Sequence, residues 1–233
     1  MKILPLVLFR RRLCSVLGVS LLLALLAAAA FPAIRFFRAR SLLQAAQAAT
    51  ERRDFGGACE HLSAYLQLCP DDAQGWFLAA RTARRAERFD EAERDLEQCQ
   101  RLGGVTEATR LEWDLWRAQQ GDLGEAEQRL RATITPDHPD ALLVLEALAR
   151  GFLRAERLAD ALQALDLWLV RQPDSAAALT LRGCVWERLD RRDRAVADFG
   201  RATDIDGEKE DARLGLARCL SRDNQFEAAA KEY

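Results

Sequence analysis

Six alanines keep step along most of the chain. Ala58, Ala92, Ala126, Ala161, Ala195 and Ala229 recur at intervals of 34, 34, 35, 34 and 34 residues. Four residues after each stands a large side chain: Leu62, Leu96, Leu130, Leu165, Phe199 and Tyr233. Three residues before each stand Phe55, Phe89, Leu123, Leu158, Arg192 and Phe226, and twelve before stand Ala46, Ala80, Asp114, Ala149, Gly183 and Ala217. Pro70, Gly104, Pro173 and Gly207 follow twelve residues after four of the alanines. A fixed period of this length describes one supersecondary unit stacked on copies of itself, not a single closed core. Small residues mark places where two helices cross closely, because a larger side chain would push them apart. Large residues fill the gap to the next unit, and Pro or Gly ends a helix.

This pattern resembles the tetratricopeptide-repeat (TPR) family. The resemblance implies an all-α fold, a helix-turn-helix solenoid wound as a right-handed superhelix. Units are expected to start at Ala39, Ala73, Glu107, Leu142, Ala176 and Glu210, so that the array covers residues 39–233 with the last unit incomplete. The third unit departs most. It has Asp114 at a small-residue position and Arg117 at an aromatic one, and it precedes both the one-residue slip and Thr135-Pro136-Asp137-His138-Pro139. Local distortion is expected there. Arg192 departs at the large position of the fifth unit.

Composition agrees with helix. Ala, Leu, Arg, Glu and Gln, all good helix formers, dominate. The net charge of −2 argues against a nucleic-acid binder. Lys2, Lys209 and Lys231 are the only lysines, so the basic side is nearly all arginine and Arg clusters are to be weighed against that background.

Before the array, Leu13 to Ile34 carries no charge and is long enough to cross a bilayer as a helix, at ~33 Å against a hydrocarbon core of ~30 Å. Arg10, Arg11 and Arg12 precede it; Arg35, Arg38 and Arg40 follow, with Phe31, Phe36 and Phe37 near the second boundary. Residues 1–12 read as a basic N-terminal tail and 13–34 as a single transmembrane anchor. The alternative is a cleaved signal peptide, for which Ala27 and Ala29 offer a cleavage pattern. Charge is balanced across the segment and orients it weakly. A short tail remaining in the cytoplasm puts the array on the periplasmic or extracytoplasmic side of a single-pass membrane protein.

Catalytic chemistry finds no foothold, and the chain is read as a non-enzyme without cofactor. Cys14, Cys59, Cys69, Cys99, Cys184 and Cys219 form no CxxC pair and match no zinc spacing. They read as small packing residues. His61 and His138 have no second ligand at metal spacing. Phe55-Gly56-Gly57 reads as the turn between the two helices of the first unit, not as a phosphate cradle. Acidic residues such as Glu91, Glu93, Glu97, Glu125 and Glu127 are expected on second helices, on solvated faces.

In the TPR family the first helices of the units line a concave groove. Carried onto this chain, the resemblance implies that Phe77, Arg81, Arg84, Arg85, Leu111, Leu115, Arg150, Leu153, Arg154, Arg188, Arg218 and Arg222 line it. Arg81, Arg150 and Arg218 share one repeat position. An apolar floor with guanidinium forks suits a protein or peptide segment bearing Asp, Glu or a free carboxylate. The competing reading has these arginines solvated and paired with Glu146, Glu187 and Asp211. The carboxylate clamp of some TPR proteins needs Asn at the position held here by Gln47, Arg81, Leu115, Arg150, Cys184 and Arg218, so that activity is not expected.

The chain is thus read as a membrane-anchored scaffold for a protein or peptide partner. It binds membrane through its N-terminal helix and takes neither nucleic acid nor a small-molecule substrate. Because Phe226 and Tyr233 would lie uncovered, the sequence also reads as part of a longer chain. The alternative function is then the sensory or spacer region of a larger, possibly enzymatic, protein.

Overall fold

The computed structural model describes residues 32–207, 210–222 and 230. The expected tail and all but the last three residues of the expected membrane segment lie outside them, as do Phe226, Ala229 and Tyr233. Among the described residues every regular element is a helix. None of these helices is long and apolar enough to cross a membrane.

The chain divides into two compact units, one ending at Gly104 and the other beginning at Val105. In the first, helix α1 (residues 32–51) is followed by α2 (Phe55–Leu68), α3 (Ala73–Arg85) and α4 (Phe89–Gly103). Helix α3 packs on both α2 and α4. Ala46, Leu62, Leu66 and Ala79 form the apolar centre shared by α1, α2 and α3, with Leu43, Tyr65, Trp76 and Leu78 packed against it.

The second unit contains α5 (Glu107–Gln119), α6 (Gly124–Thr133), α7 (Ala141–Arg154), α8 (Leu158–Arg171), α9 (Ala176–Arg188), α10 (Arg192–Ile205) and α11 (Glu210–Arg222). Each of α5, α7 and α9 packs on the helix that follows it; α7 and α9 also pack on each other, as do α5 and α7, and α9 and α11. First helices therefore lie side by side and second helices form another layer. The largest core runs from Leu115 through Leu145, Leu148 and Phe152 to Trp168 and Val185.

First helices begin at Ala73, Glu107, Ala141, Ala176 and Glu210, whereas Ala39, the first expected unit start, lies inside α1, which is already helical at residue 32. The period survives in burial: Ala58, Ala92, Ala126, Ala161 and Ala195 are all buried, and so are Leu62, Leu96, Leu130, Leu165 and Phe199. Helices α3, α5 and α9 are capped by side chains. Asp72 accepts from the Gln74 N–H, Ser175 from Ala178, and Thr106 forms a reciprocal pair with Thr109.

The conformation of the turn between the helices of each pair is not signalled by the sequence. It has one design at five places. Arg53, Glu87, Gly121, Glu156 and Asp190 take left-handed backbone, with φ of 60°, 61°, 93°, 55° and 54°. The next residue donates its N–H five residues back, as Arg88 does to the Ala83 carbonyl and Arg157 to Phe152. This closes the open carbonyls of the first helix. Gly56 and Gly57 are not in that turn: α2 already begins at Phe55, and the Gly57 N–H is capped by the Asp54 carboxylate at 2.9 Å.

Distortion falls where the repeat is weakest. Helix α6 has 10 residues, against 14 or 15 for α2, α4, α8 and α10. Gly121, with positive φ, precedes it; Gly124, also with positive φ, is its first residue; and Thr135–Pro139 leads into α7.

Candidate interaction clefts

Three first helices, α7, α9 and α11, present a cleft of about 160 Å³ in the second unit. Arg150 stands on the α7 side and Arg218 on the α11 side. Between them lie Ala177, Thr180, Leu181 and Cys184 of α9, with Asp211 and Leu214 of α11. Two of the arginines that share a repeat position therefore flank one cleft. Both already have carboxylate partners. Arg150 lies 3.7 Å from Glu146, and Arg218 donates to Glu187 at 3.0 and 3.3 Å. Arg222 reaches the same Glu187 at 3.2 Å. Hydrogen bonding to Glu187 pushes the Arg218 guanidinium up from its ordinary range. Burial pushes the Cys184 thiol up, so it stays protonated near neutral pH and is a poor nucleophile.

A second cleft, of about 470 Å³, belongs to the first unit. Leu43, Ala46, Gln47, Thr50 and Glu51 of α1 face Leu78, Arg81, Thr82 and Arg85 of α3, over Leu62. The Arg81 guanidinium lies 4.8 Å from the centre of the Phe77 ring and Arg85 lies 4.2 Å from that of Phe55, both in cation–π contact.

Other expected groove residues are placed differently. Arg84 and Leu115 are fully enclosed and offer no surface. Leu115 belongs to the core of the second unit. Phe77 is also buried, with the Arg81 guanidinium over its ring. Leu111 and Leu153 are half-buried against the core. Arg154 is exposed. Arg188 turns toward the end of α7, where it donates to the Leu153 carbonyl at 2.9 Å and pairs with Glu156.

Two charge clusters went unread in the sequence. Glu127 is not on a solvated face: Arg157 holds it at 2.6 and 3.1 Å and Arg131 at 2.9 Å. These bonds, Arg157 first, keep its carboxyl below the usual range despite burial. Both guanidiniums also lie by the buried Phe152 ring, at 4.6 and 5.3 Å. Arg182 binds Asp198 at 2.7 and 2.8 Å and Asp166 at 2.8 Å. Partners sixteen residues apart on different helices follow no local spacing rule, so nothing in the sequence marks them.

Among the described residues no group of His, Cys, Asp and Glu could hold a metal ion. The five described cysteines are free. Burial raises the Cys59 thiol to about 11.

No protein-family model and no curated protein sequence matches this chain. Solved structures do. A tetratricopeptide-repeat protein from Parabacteroides merdae superposes with a TM-score of 0.59 at 18% identity, covering 77% of this chain and 70% of that one. The APC/C hetero-tetramer Cut9–Hcn1 gives 0.58 at 15% identity over 83% of this chain and 38% of that one. PilW, a type IV pilus biogenesis factor, gives 0.57 at 14% identity over 83% and 90%. The described residues thus have an all-helical, tetratricopeptide-repeat-like fold.

Proposed function

We propose that this chain is a membrane-tethered scaffold whose first-helix clefts hold a segment of another protein. The observation that carries this reading is the pair Arg150 and Arg218, on opposite sides of one cleft floored by Leu181 and Leu214. A guanidinium has five N–H donors, more than one carboxylate takes up. Arg150 and Arg218 can therefore share their present partners with an Asp, a Glu or a C-terminal carboxylate of the segment, while its apolar side chains meet the leucines. The partner is acidic on this reading, and its attachment weakens with salt because exposed charges are screened over ~8–10 Å. The tether is Leu13 to Ile34, whose lack of charge supports an anchor, with the array on the extracytoplasmic side.

The test is site-specific photo-cross-linking in cells making the full chain. A photoreactive amino acid at Leu214, inside the cleft, is expected to trap a discrete protein. The same group at Gln163, exposed on α8, is expected not to. Combined Arg150→Gln and Arg218→Gln substitutions should abolish the cross-link. If Leu214 traps nothing that Gln163 does not, the cleft is not a docking site. A reporter active only outside the cytoplasm, fused after Tyr233, should be active; silence reverses the orientation. A mature N-terminus near Ala30 replaces the anchor with a cleaved signal.

A further inference from the structure

The outward face of α1 changes character along its length. Its inward face carries the buried Ala39, Ala46 and Ala49. Opposite them, Arg40, Ser41 and Gln44 are polar and exposed, as expected of a helix in water. One turn earlier every side chain from Pro32 to Arg38 is exposed, and the large apolar ones among them, Ile34, Phe36 and Phe37, have 65%, 61% and 68% of their surface open. The two rings touch edge to face at 5.8 Å. Three large apolar side chains within four residues are costly to leave in water. Arg35 ties this end of α1 to the carbonyl of Leu68, at the end of α2. Arg38 and Arg40 remain exposed beside the rings.

We propose that residues 34–40 form a collar seated in the headgroup layer of a bilayer, with anionic lipid as the occupant of this exposed patch. The inference rests on reading Leu13–Ile34 as the anchor, and it adds where the membrane surface meets the folded body. The charge-free run ends at Ile34, and the arginines start at the next residue. Aromatic rings suit the boundary between acyl chains and headgroups, and arginine stems lie along apolar surface while their guanidiniums reach phosphate. A protein partner would not require apolar exposure to change to polar exposure within a single turn, whereas a planar boundary does. Because α1 is helical without a break from residue 32 to residue 51, the first unit is held at a fixed height. Gln47, at the rim of the α1–α3 cleft, stands ten residues beyond Phe37, or ~15 Å along the helix. That cleft is then reached most readily by partner segments lying close to the same membrane.

The experiment uses the full chain reconstituted into vesicles of phosphatidylcholine and phosphatidylglycerol. An environment-sensitive fluorescent amino acid replaces Phe37 in one variant and Gln44 in another. Emission from position 37 is expected to be shifted to the blue of that from position 44. It should also be quenched several-fold more by lipid labelled at the headgroup than by lipid labelled at the chain end. Combined Arg38→Gln and Arg40→Gln substitutions should reduce the shift in these vesicles and leave it unchanged in phosphatidylcholine alone. Water-like emission at position 37, or stronger quenching by the deep label, overturns the collar. An arginine effect that is equal in both vesicle types, or absent from both, overturns the anionic-lipid assignment. Alkaline extraction of the same vesicles separates the two readings. Release of the protein defeats the anchor; retention with position 37 in water defeats only the collar.

Discussion

The ring of Phe199 lies against the bare Cα of Gly183. A Cβ built on Gly183 would come within 2.7 Å of the ring, and one built on Gly215 within 2.6 Å. Phe199 is fully buried, so the ring has nowhere to retreat. Gly183→Ala is expected to cost about 1–3 kcal/mol by overpacking. Gly200, on the same helix as Phe199, has open space around its Cα. Gly200→Ala is therefore expected to stabilise by about 0.5–1 kcal/mol, the usual gain from removing glycine inside a helix. Denaturant melts of the two variants should move in opposite directions. Ala195→Leu, at a fully buried helix crossing, should behave like Gly183→Ala.

The five left-handed turns give a second pair of opposed outcomes. Four of them use residues with a Cβ, which pay for φ near +60°. Glu87→Gly is expected to stabilise by about 0.5–1 kcal/mol, the backbone relief being partly offset by a more flexible unfolded chain. Gly121→Ala should destabilise by about 1 kcal/mol for the converse reason. The nearest contact of a Cβ at Gly121 is 3.6 Å, so crowding would not confuse the result. Thermal melts that moved both variants the same way would rule out backbone strain as the cause.

Why the helices could be read and the turns could not follows from the same physics. A crossing between helices demands a small side chain at one point and a large one a turn away. Ala58, Ala92, Ala161 and Ala195 therefore announce it in the sequence, as do Leu62, Leu96, Leu165 and Phe199. The left-handed residue has no such requirement when packing on both sides imposes it, and none of Arg53, Glu87, Glu156 and Asp190 is the glycine that would mark the turn. Gly56-Gly57 misled for the complementary reason: glycines suggest a turn, but the Asp54 cap starts a helix through them. In the clefts, repeat position located Arg150 and Arg218 because it specifies a helix face. It did not anticipate the burial of Arg84 and Leu115, which depends on how closely neighbouring helices approach.

Asp114 shows how one departure from the pattern is accommodated. Where the other units place Ala or Gly, this carboxylate receives two hydrogen bonds from Arg129, from Nε at 2.8 Å and from Nη2 at 2.7 Å. Half of the Arg129 side chain is exposed, so the pair is open to screening. A double-mutant cycle with Asp114→Ala and Arg129→Ala should show favourable coupling at low salt that shrinks as salt is added. Coupling that ignores salt would point to packing of the arginine stem instead.

Asp95 ties stability to pH. Burial, with the Glu91 carboxylate next in effect and Arg94 opposing both, pushes its carboxyl up to about 6 from an ordinary 3.8. A raised carboxyl binds its proton more tightly in the folded chain than in the unfolded one. Folding therefore benefits fully below pH ~4, loses that benefit as pH climbs to ~6, and carries a constant penalty above. The side chain is only partly buried, so solvent screening reduces the penalty to about 1 kcal/mol. Asp95→Asn, neutral at every pH, is expected to gain that amount at pH 7.5 and nothing at pH 4. Opposite behaviour would identify Asp95 as a stabilised anion: a loss at pH 7.5 that disappears on acidification would mean that its charge is held by Arg94 or Arg88 in the cleft between α2 and α4. Chemical denaturation of both proteins across that pH range decides between the two signs.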